Sequence, residues 1–365
     1  MARTKKRARR RLSIRGMLVL VLILLFIAAG TLFITGNSPE TTISGLTRVE
    51  FTTNDVYAST GTAMLTITGN TLNYRGFKSS SDDWSLSLVS DGFRLACSQN
   101  IIAIYSDSAM QALSMQGTPL FPGQEYAGTV MGARCAKKTI AVLKKENSGE
   151  YTLYLYSATG DKLDTIRLPA YPMDFGFYGD EQLYVYTLSA AGTTPVATVT
   201  TYNPGVSTTG VIILENQLVD GVFFTPQYTY IAGTDTLRTF DSTGKSYANT
   251  LIYGYKVLDC KADETSVYFL LVPRTQSSEG TTAKLMTLNG KQSSIYFRLP
   301  PDWLGTWFYG DVILTVTKSA VVKYSMDGSV RSSFSLAGEF DFAKLLDNAR
   351  MLLGSRTTAY IANIG

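Results

Sequence analysis

The chain has 365 residues, 45% hydrophobic and 17% charged, which is enough apolar surface for a full-sized core and too much for a disordered chain. It contains no histidine, which excludes Ser-His-Asp and Cys-His catalysis and any His-containing zinc site. Its formal charge of +4 is unevenly placed: residues 1–15 hold eight Lys and Arg and no acid, so the remainder keeps 25 basic residues, 33 less those eight, against 29 acidic ones, and is net −4.

The first predicted element is a helix. Residues 17–34, MLVLVLILLFIAAGTLFI, carry no charge and would span roughly 27 Å, close to a bilayer core. We read 1–16 as a basic cytoplasmic arm, 17–35 as a transmembrane signal-anchor helix and 36–45 as a short linker. By the positive-inside rule everything beyond lies outside the cell, which predicts a single-pass protein of the cell membrane. The lipid bilayer is then the partner of 17–35, and the short linker holds the rest near the membrane surface. A cleaved signal peptide competes, since Ala28, Ala29 and Gly30 are small enough for processing, but the apolar run continues through Leu32, Phe33 and Ile34. Beside such a helix the basic run is a topology signal, and no nucleic acid is expected.

From residue 46 the apolar residues fall in short alternating runs broken by glycine, a pattern of strands and tight turns. A strand, glycine turn and strand recurs at Gly76, Gly117, Gly160, Gly205, Gly244, Gly290, Gly328 and Gly365, with gaps of 41, 43, 45, 39, 46, 38 and 37 residues. A period near 40 fits four-stranded propeller blades. One unit reads directly as GTVMGARC, TIAVLKK, YTLYLYS and KLDTIRLP, with the glycine in the third turn, where it supplies positive φ. After SVRSSFSLA, only FDFAKLL, ARMLLGS and TTAYIANI follow, one strand short of a blade. At the other end GLTRVEF, 45–51, has no blade of its own. The expectation is an all-β, eight-bladed propeller over 46–365, closed by that N-terminal strand, with seven blades as the alternative. Cys97, Cys135 and Cys260 each end a similar run and are expected as small buried residues at one repeated position; Cys97 and Cys135 could pair if adjacent repeats bring them together.

The third and fourth strands, such as YLYSATGDKLDTIRL and RTFDSTGKSYANTL, resemble the repeats of pyrroloquinoline-quinone-like propellers. With the basic arm and single helix, the chain is similar to a group of membrane-anchored propeller proteins of Gram-positive bacteria. The quinone-binding members carry a tryptophan in nearly every blade and a calcium-binding pocket. This chain has only Trp84, Trp303 and Trp307, so the resemblance implies the non-enzymatic members, which act as scaffolds for other envelope proteins.

No cofactor, metal or catalytic residue is expected. Three scattered cysteines cannot build a four-cysteine zinc site, and no glycine-rich phosphate loop precedes a helix. Paired carboxylates would suffice for a glycan hydrolase, the alternative reading, and the visible acidic groups are Asp82 with Asp83, and Asp174, Asp180 and Glu181. Their competing role is that of solvated turn residues. Long second-to-third-strand loops are predicted at 144–151, 188–198 and 272–284, on the same face as blade-to-blade connections at 120–126, 168–175 and 298–310. That face is the expected binding surface for an envelope protein or cell-wall polymer, with Trp303, Trp307, Tyr309, Tyr171, Phe121 and Tyr126 as candidate anchors. For Trp307 and Tyr309, in an alternating strand, packing between blades is the competing role.

Overall fold

The computed structural model describes residues 43–364 apart from 44, 50–55, 90, 276–279, 290 and 356–357. The expected arm and anchor, 1–16 and 17–35, lie outside the described residues. Among the described residues the strands form eight antiparallel four-stranded sheets. Seven use consecutive strands, at 56–87, 94–125, 129–168, 171–215, 219–251, 255–299 and 303–335, here blades 1 to 7. Blade 8 takes Phe342–Leu345, Arg350–Ser355 and Thr358–Asn363, and its fourth strand is Leu46–Val49, with Leu46 opposite Ala362 and Val49 opposite Ala359. The chain is thus an eight-bladed β-propeller whose last sheet has no open edge on that side.

The first strands of neighbouring blades touch, as Thr129–Cys135 does with both Arg94–Cys97 and Tyr171–Tyr178. The first strand is therefore innermost and the fourth lies at the rim. The core sits between blades: Ile101, Ala103 and Tyr105 of blade 2 pack with Val130, Ala133 and Ile140 of blade 3. Phe269 of blade 6 is fully buried with its ring 5.1 Å from that of Tyr230 in blade 5.

The repeated glycine does more than turn the chain. In blade 3 the Gly160 N–H donates to the Ser157 carbonyl at 3.0 Å and the Ser157 N–H to the Asp161 carbonyl at 2.8 Å. Leu155 pairs with Asp164 but Tyr156 with Lys162, a one-residue shift that places Gly160 in the left-handed region at φ 88°. A Cβ there would stand 2.6 Å from Cγ of Phe121, at the rim of blade 2. The same approach recurs around the ring: a Cβ on Gly117 would lie 3.1 Å from the Trp84 ring of blade 1, on Gly244 2.9 Å from the Val211 carbonyl of blade 4, and on Gly328 3.0 Å from Phe297 Cβ of blade 6. Each turn is seated on the rim of the preceding blade, a role that the sequence reading of simple turn chemistry omitted. Gly290 and Gly365 lie outside the described residues.

All three cysteines are free thiols. Cys97 and Cys135 end the first strands of blades 2 and 3, opposite Ile102 and Ile140. Cys260 lies opposite Phe269, two residues before the first strand of blade 6 ends at Ala262, so it does not share their position. That strand simply runs further before its turn.

Candidate functional site

In each sheet the first-to-second and third-to-fourth turns lie on one face of the ring, and the second-to-third turns share the other with the blade-to-blade connections. The expected binding face is the second of these, and two of its predicted loops differ from expectation. Residues 188–198 form no loop: Gln182–Ala191 and Thr194–Asn203 remain paired to their tips, Ala191 opposite Thr194, because the alternating Thr and Val of TPVATVTT favours strand and Gly192, at φ 65°, turns the tip. Residues 120–126 do not connect blades. Gln124–Glu125 is the short fourth strand of blade 2, and proline at 119 and 122 limits its pairing.

The six candidate anchors are not brought together. Phe121 is 6% exposed, wedged under Gly160. Tyr126 is half-buried beside Tyr154, ring centroids 6.0 Å apart, and burial pushes its phenol well above the usual range. Trp303 begins the first strand of blade 7, its indole N–H 3.4 Å from the Thr281 hydroxyl, and packs in the core between blades 6 and 7. Trp307 and Tyr309 pack in the next core, between blades 7 and 8, with Lys323 Nζ 5.5 Å from the Tyr309 ring. Strand Trp303–Tyr309 runs from the connection face toward the opposite one, so its two ends serve different faces. Tyr171 differs: it opens the first strand of blade 4, is 51% exposed, and meets the Tyr151 ring edge-on at 5.4 Å.

Around Tyr171 the inner strands carry a feature that periodicity does not reveal. In blade 3 Val130 pairs with Lys144 and Gly132 with Leu143, leaving Met131 as an extra residue. In blade 4 Pro172 pairs with Thr187 and Asp174 with Tyr186, leaving Met173. A bulge re-aims its side chain out of the pleat, and Met131 and Met173 are 40% and 49% exposed. Leu218, leading into blade 5, is 48% exposed. The same bulge in blade 5 presents Asp220, which holds Arg274 from the second-to-third loop of blade 6; Arg274 also donates to the Gly233 carbonyl at 2.9 Å. The face thus offers flexible thioethers and a tyrosine on rigid strands, bordered by ion pairs such as Arg134 with Asp174 at 3.8 Å.

Beside this patch, Lys144 and Glu146 form a shielded pair at 2.6 Å, and the Tyr154 hydroxyl donates to Glu146 at 2.9 Å. Burial pushes the Glu146 carboxyl up, but the bonds from Lys144, Tyr154 and Thr152 outweigh it and hold the group below its ordinary range. The other acidic groups are engaged structurally. Asp83 accepts from Arg75 at 3.1 Å and from the Gly76 N–H at 2.8 Å. Asp174 accepts from the Tyr184 hydroxyl at 2.7 Å, Asp180 faces Lys137 at 3.5 Å, and Glu181 caps the Lys138 N–H at 2.8 Å. The Ser81 hydroxyl donates to Asp82 at 3.4 Å.

A cleft of 560 Å³ opens on the opposite face, between blades 5 and 6. Tyr228, Tyr230 and Tyr247 form its aromatic side, with Glu264 and Lys291 at its edge. Tyr247 is 70% exposed and its ring lies 4.9 Å from that of Tyr228, tilted 38°. Asp263 also lines it, but its carboxylate accepts from the Thr265 and Ser266 N–H groups, both at 2.8 Å, and those turn bonds hold it below its ordinary range. The sequence reading missed this cleft because Tyr228 and Tyr247 lie on separate strands and converge only through the sheet.

No family model matches the chain, and no curated protein matches it in sequence. Solved structures match it in fold. BamB from Moraxella catarrhalis aligns over 87% of this chain and 100% of its own at 13% identity and a TM-score of 0.52. The WD40 domain of SCAP from fission yeast aligns over 88% and 96% at 9% identity and 0.60, and Sqt1 from Saccharomyces cerevisiae over 89% and 100% at 10% and 0.57. These are likenesses of fold. The BamB match supports the resemblance to pyrroloquinoline-quinone-like propellers at that level.

Proposed function

We propose that the chain is a membrane-tethered, extracytoplasmic binding and scaffolding module that docks an envelope protein on the face of Tyr171. The observation that carries this reading is the group of exposed apolar side chains, Met131, Tyr171, Met173 and Leu218, set on adjoining elements of blades 3 to 5. Tyrosine anchors flanked by adaptable methionines are what a protein interface uses, and strand-borne anchors lose little entropy on binding. The tether rests on the basic run before an uncharged 18-residue stretch, and the propeller fold of the neighbours fits a binding role. The test is crosslinking of the full-length protein in intact cells, compared with a Tyr171→Ser, Met173→Ser variant. One defined envelope protein should be captured by the parent and lost from the variant; capture that is absent or unchanged overturns the reading.

A cell-wall polymer is favoured by one separate observation, the tyrosine-lined cleft between blades 5 and 6, whose exposed Tyr247 offers a flat face for a sugar ring. Wall glycan fragments should then bind the purified protein, and Tyr247→Ala should abolish that binding without affecting protein capture through Tyr171.

A further inference from the structure

The seam where the ring closes holds a second cleft, of 360 Å³, between blades 8 and 1. Three arginines from three separate elements line it: Arg48 of the closing strand, Arg75 near the end of the third strand of blade 1, and Arg350 at the start of the second strand of blade 8. Two of them are held in place. Arg350 donates to Asp347 at 2.8 Å and lies over the Phe77 ring, 4.5 Å from its centroid. Arg75 donates to Asp83 at 3.1 Å, and Asp83 is itself fixed by the Gly76 N–H at 2.8 Å. Arg48 is exposed and has no carboxylate partner among the described residues.

The charge balance of the cleft is therefore positive. Three guanidiniums face one lining carboxylate, Asp83, and even with Asp347 counted behind Arg350 the site keeps one net positive charge. This stands out in a segment, 37–365, that is net −4. Hydroxyl and amide donors of Thr66, Ser80, Asn73 and Asn363 complete the lining. A carboxylate has two oxygens to satisfy, whereas a phosphate offers three or four around a compact centre, which suits several forked donors converging from different strands.

We infer that the cleft between blades 8 and 1 binds the phosphate of a phosphomonoester or phosphodiester, with Arg48 as the guanidinium still free to pair with it. The phosphate comes either from a lipid headgroup or from a soluble ligand; Arg48 follows the uncharged stretch by only 14 residues, which makes the headgroup one of the two sources to test.

The test uses the full-length protein in a neutral detergent or reconstituted in neutral vesicles. Glycerol phosphate is titrated calorimetrically into the detergent-solubilised protein, and short-chain phosphatidylglycerol is titrated in parallel. The variants are Arg48→Gln and Arg48→Lys, with Arg331→Gln, an exposed rim arginine paired with Asp311, as control. Saturable binding is expected that weakens on the order of tenfold or more in Arg48→Gln, less in Arg48→Lys, and not at all in Arg331→Gln. Arg48-dependent binding of glycerol phosphate supports a soluble ligand, and Arg48-dependent binding of the lipid alone supports a headgroup. Absence of saturable binding to either probe, or binding that Arg48→Gln leaves unchanged in a variant with parental thermal stability, overturns the inference. Protein capture through Tyr171 is independent of this site, so failure here leaves the docking test intact.

Discussion

Gly160 and Gly149 give a controlled test of how the blades are joined. Both lie in blade 3 at nearly the same backbone conformation, φ 88° and 90°. A Cβ on Gly149 meets nothing within 4 Å, whereas one on Gly160 would stand 2.6 Å from Cγ and 2.7 Å from Cβ of Phe121. Forcing alanine into the left-handed region costs about 1–2 kcal/mol at either site. At Gly160 the added methyl must also displace a ring that is 6% exposed and belongs to the core between blades 2 and 3. Overpacking of that kind adds about 1–3 kcal/mol. The Gly149→Ala variant should therefore lose about 1–2 kcal/mol and Gly160→Ala about 2–5 kcal/mol. At about 2 °C per kcal/mol for a domain of this size, Gly160→Ala should melt some 2–6 °C below Gly149→Ala. The measurement is the melting temperature of the two variants by near-ultraviolet circular dichroism at one scan rate. Equal melting temperatures would refute the claim that the repeated glycine seats one blade on the next.

Two further outcomes follow from burial and closure. Burial pushes the Cys97 thiol up to about 11 and the Cys260 thiol up to about 12, so the native state keeps protons that the unfolded chain releases above its ordinary value of 9.0. The contribution of these thiols is complete below pH 9 and is lost as pH rises toward 11–12; iodoacetamide should label the folded protein negligibly at pH 8, and fast native labelling there would contradict the burial. Thr47→Pro removes a backbone donor and misfits the closing strand opposite Ile361, so the variant should melt lower and self-associate through the bared edge of Thr358–Asn363, read by light scattering; a monomer of parental stability would show that closure contributes little.

The fold was legible because its signal is repeated. Five of the glycines used to count blades, at 117, 160, 205, 244 and 328, close third turns at positive φ, and their spacing alone led to eight units. The strands of the third unit agree closely with the quoted runs, Thr129–Cys135, Thr139–Lys145, Tyr151–Ser157 and Lys162–Leu168. Loops were less legible for a physical reason. A Gly-containing stretch between two strand runs marks a turn but not its length: Gly192 turns a hairpin whose strands pair to the tip, and the two prolines of 119–122 reduce a blade's fourth strand to Gln124–Glu125.

The binding surface was legible only in part, because exposure here is decided by backbone irregularity rather than residue type. Large aromatics invite selection as anchors, yet in a propeller the gaps between twisted blades are what aromatic rings fill: Phe121 lies under Gly160, Trp84 against Gly117, and Trp303 and Trp307 in two successive inter-blade cores. Met131 and Met173 would sit in an ordinary pleat as alternating strand residues; one inserted residue in each register turns them outward beside Tyr171. The equivalent inserted positions in blades 6 and 7 hold Leu258 and Leu304, which pack into the cores instead. The bulge is thus a property of the repeat, and what each blade does with it depends on the neighbouring side chains. Substituting Met131 and Met173 should consequently alter docking while leaving the ring intact, whereas the same change at Leu258 or Leu304 should loosen the blades.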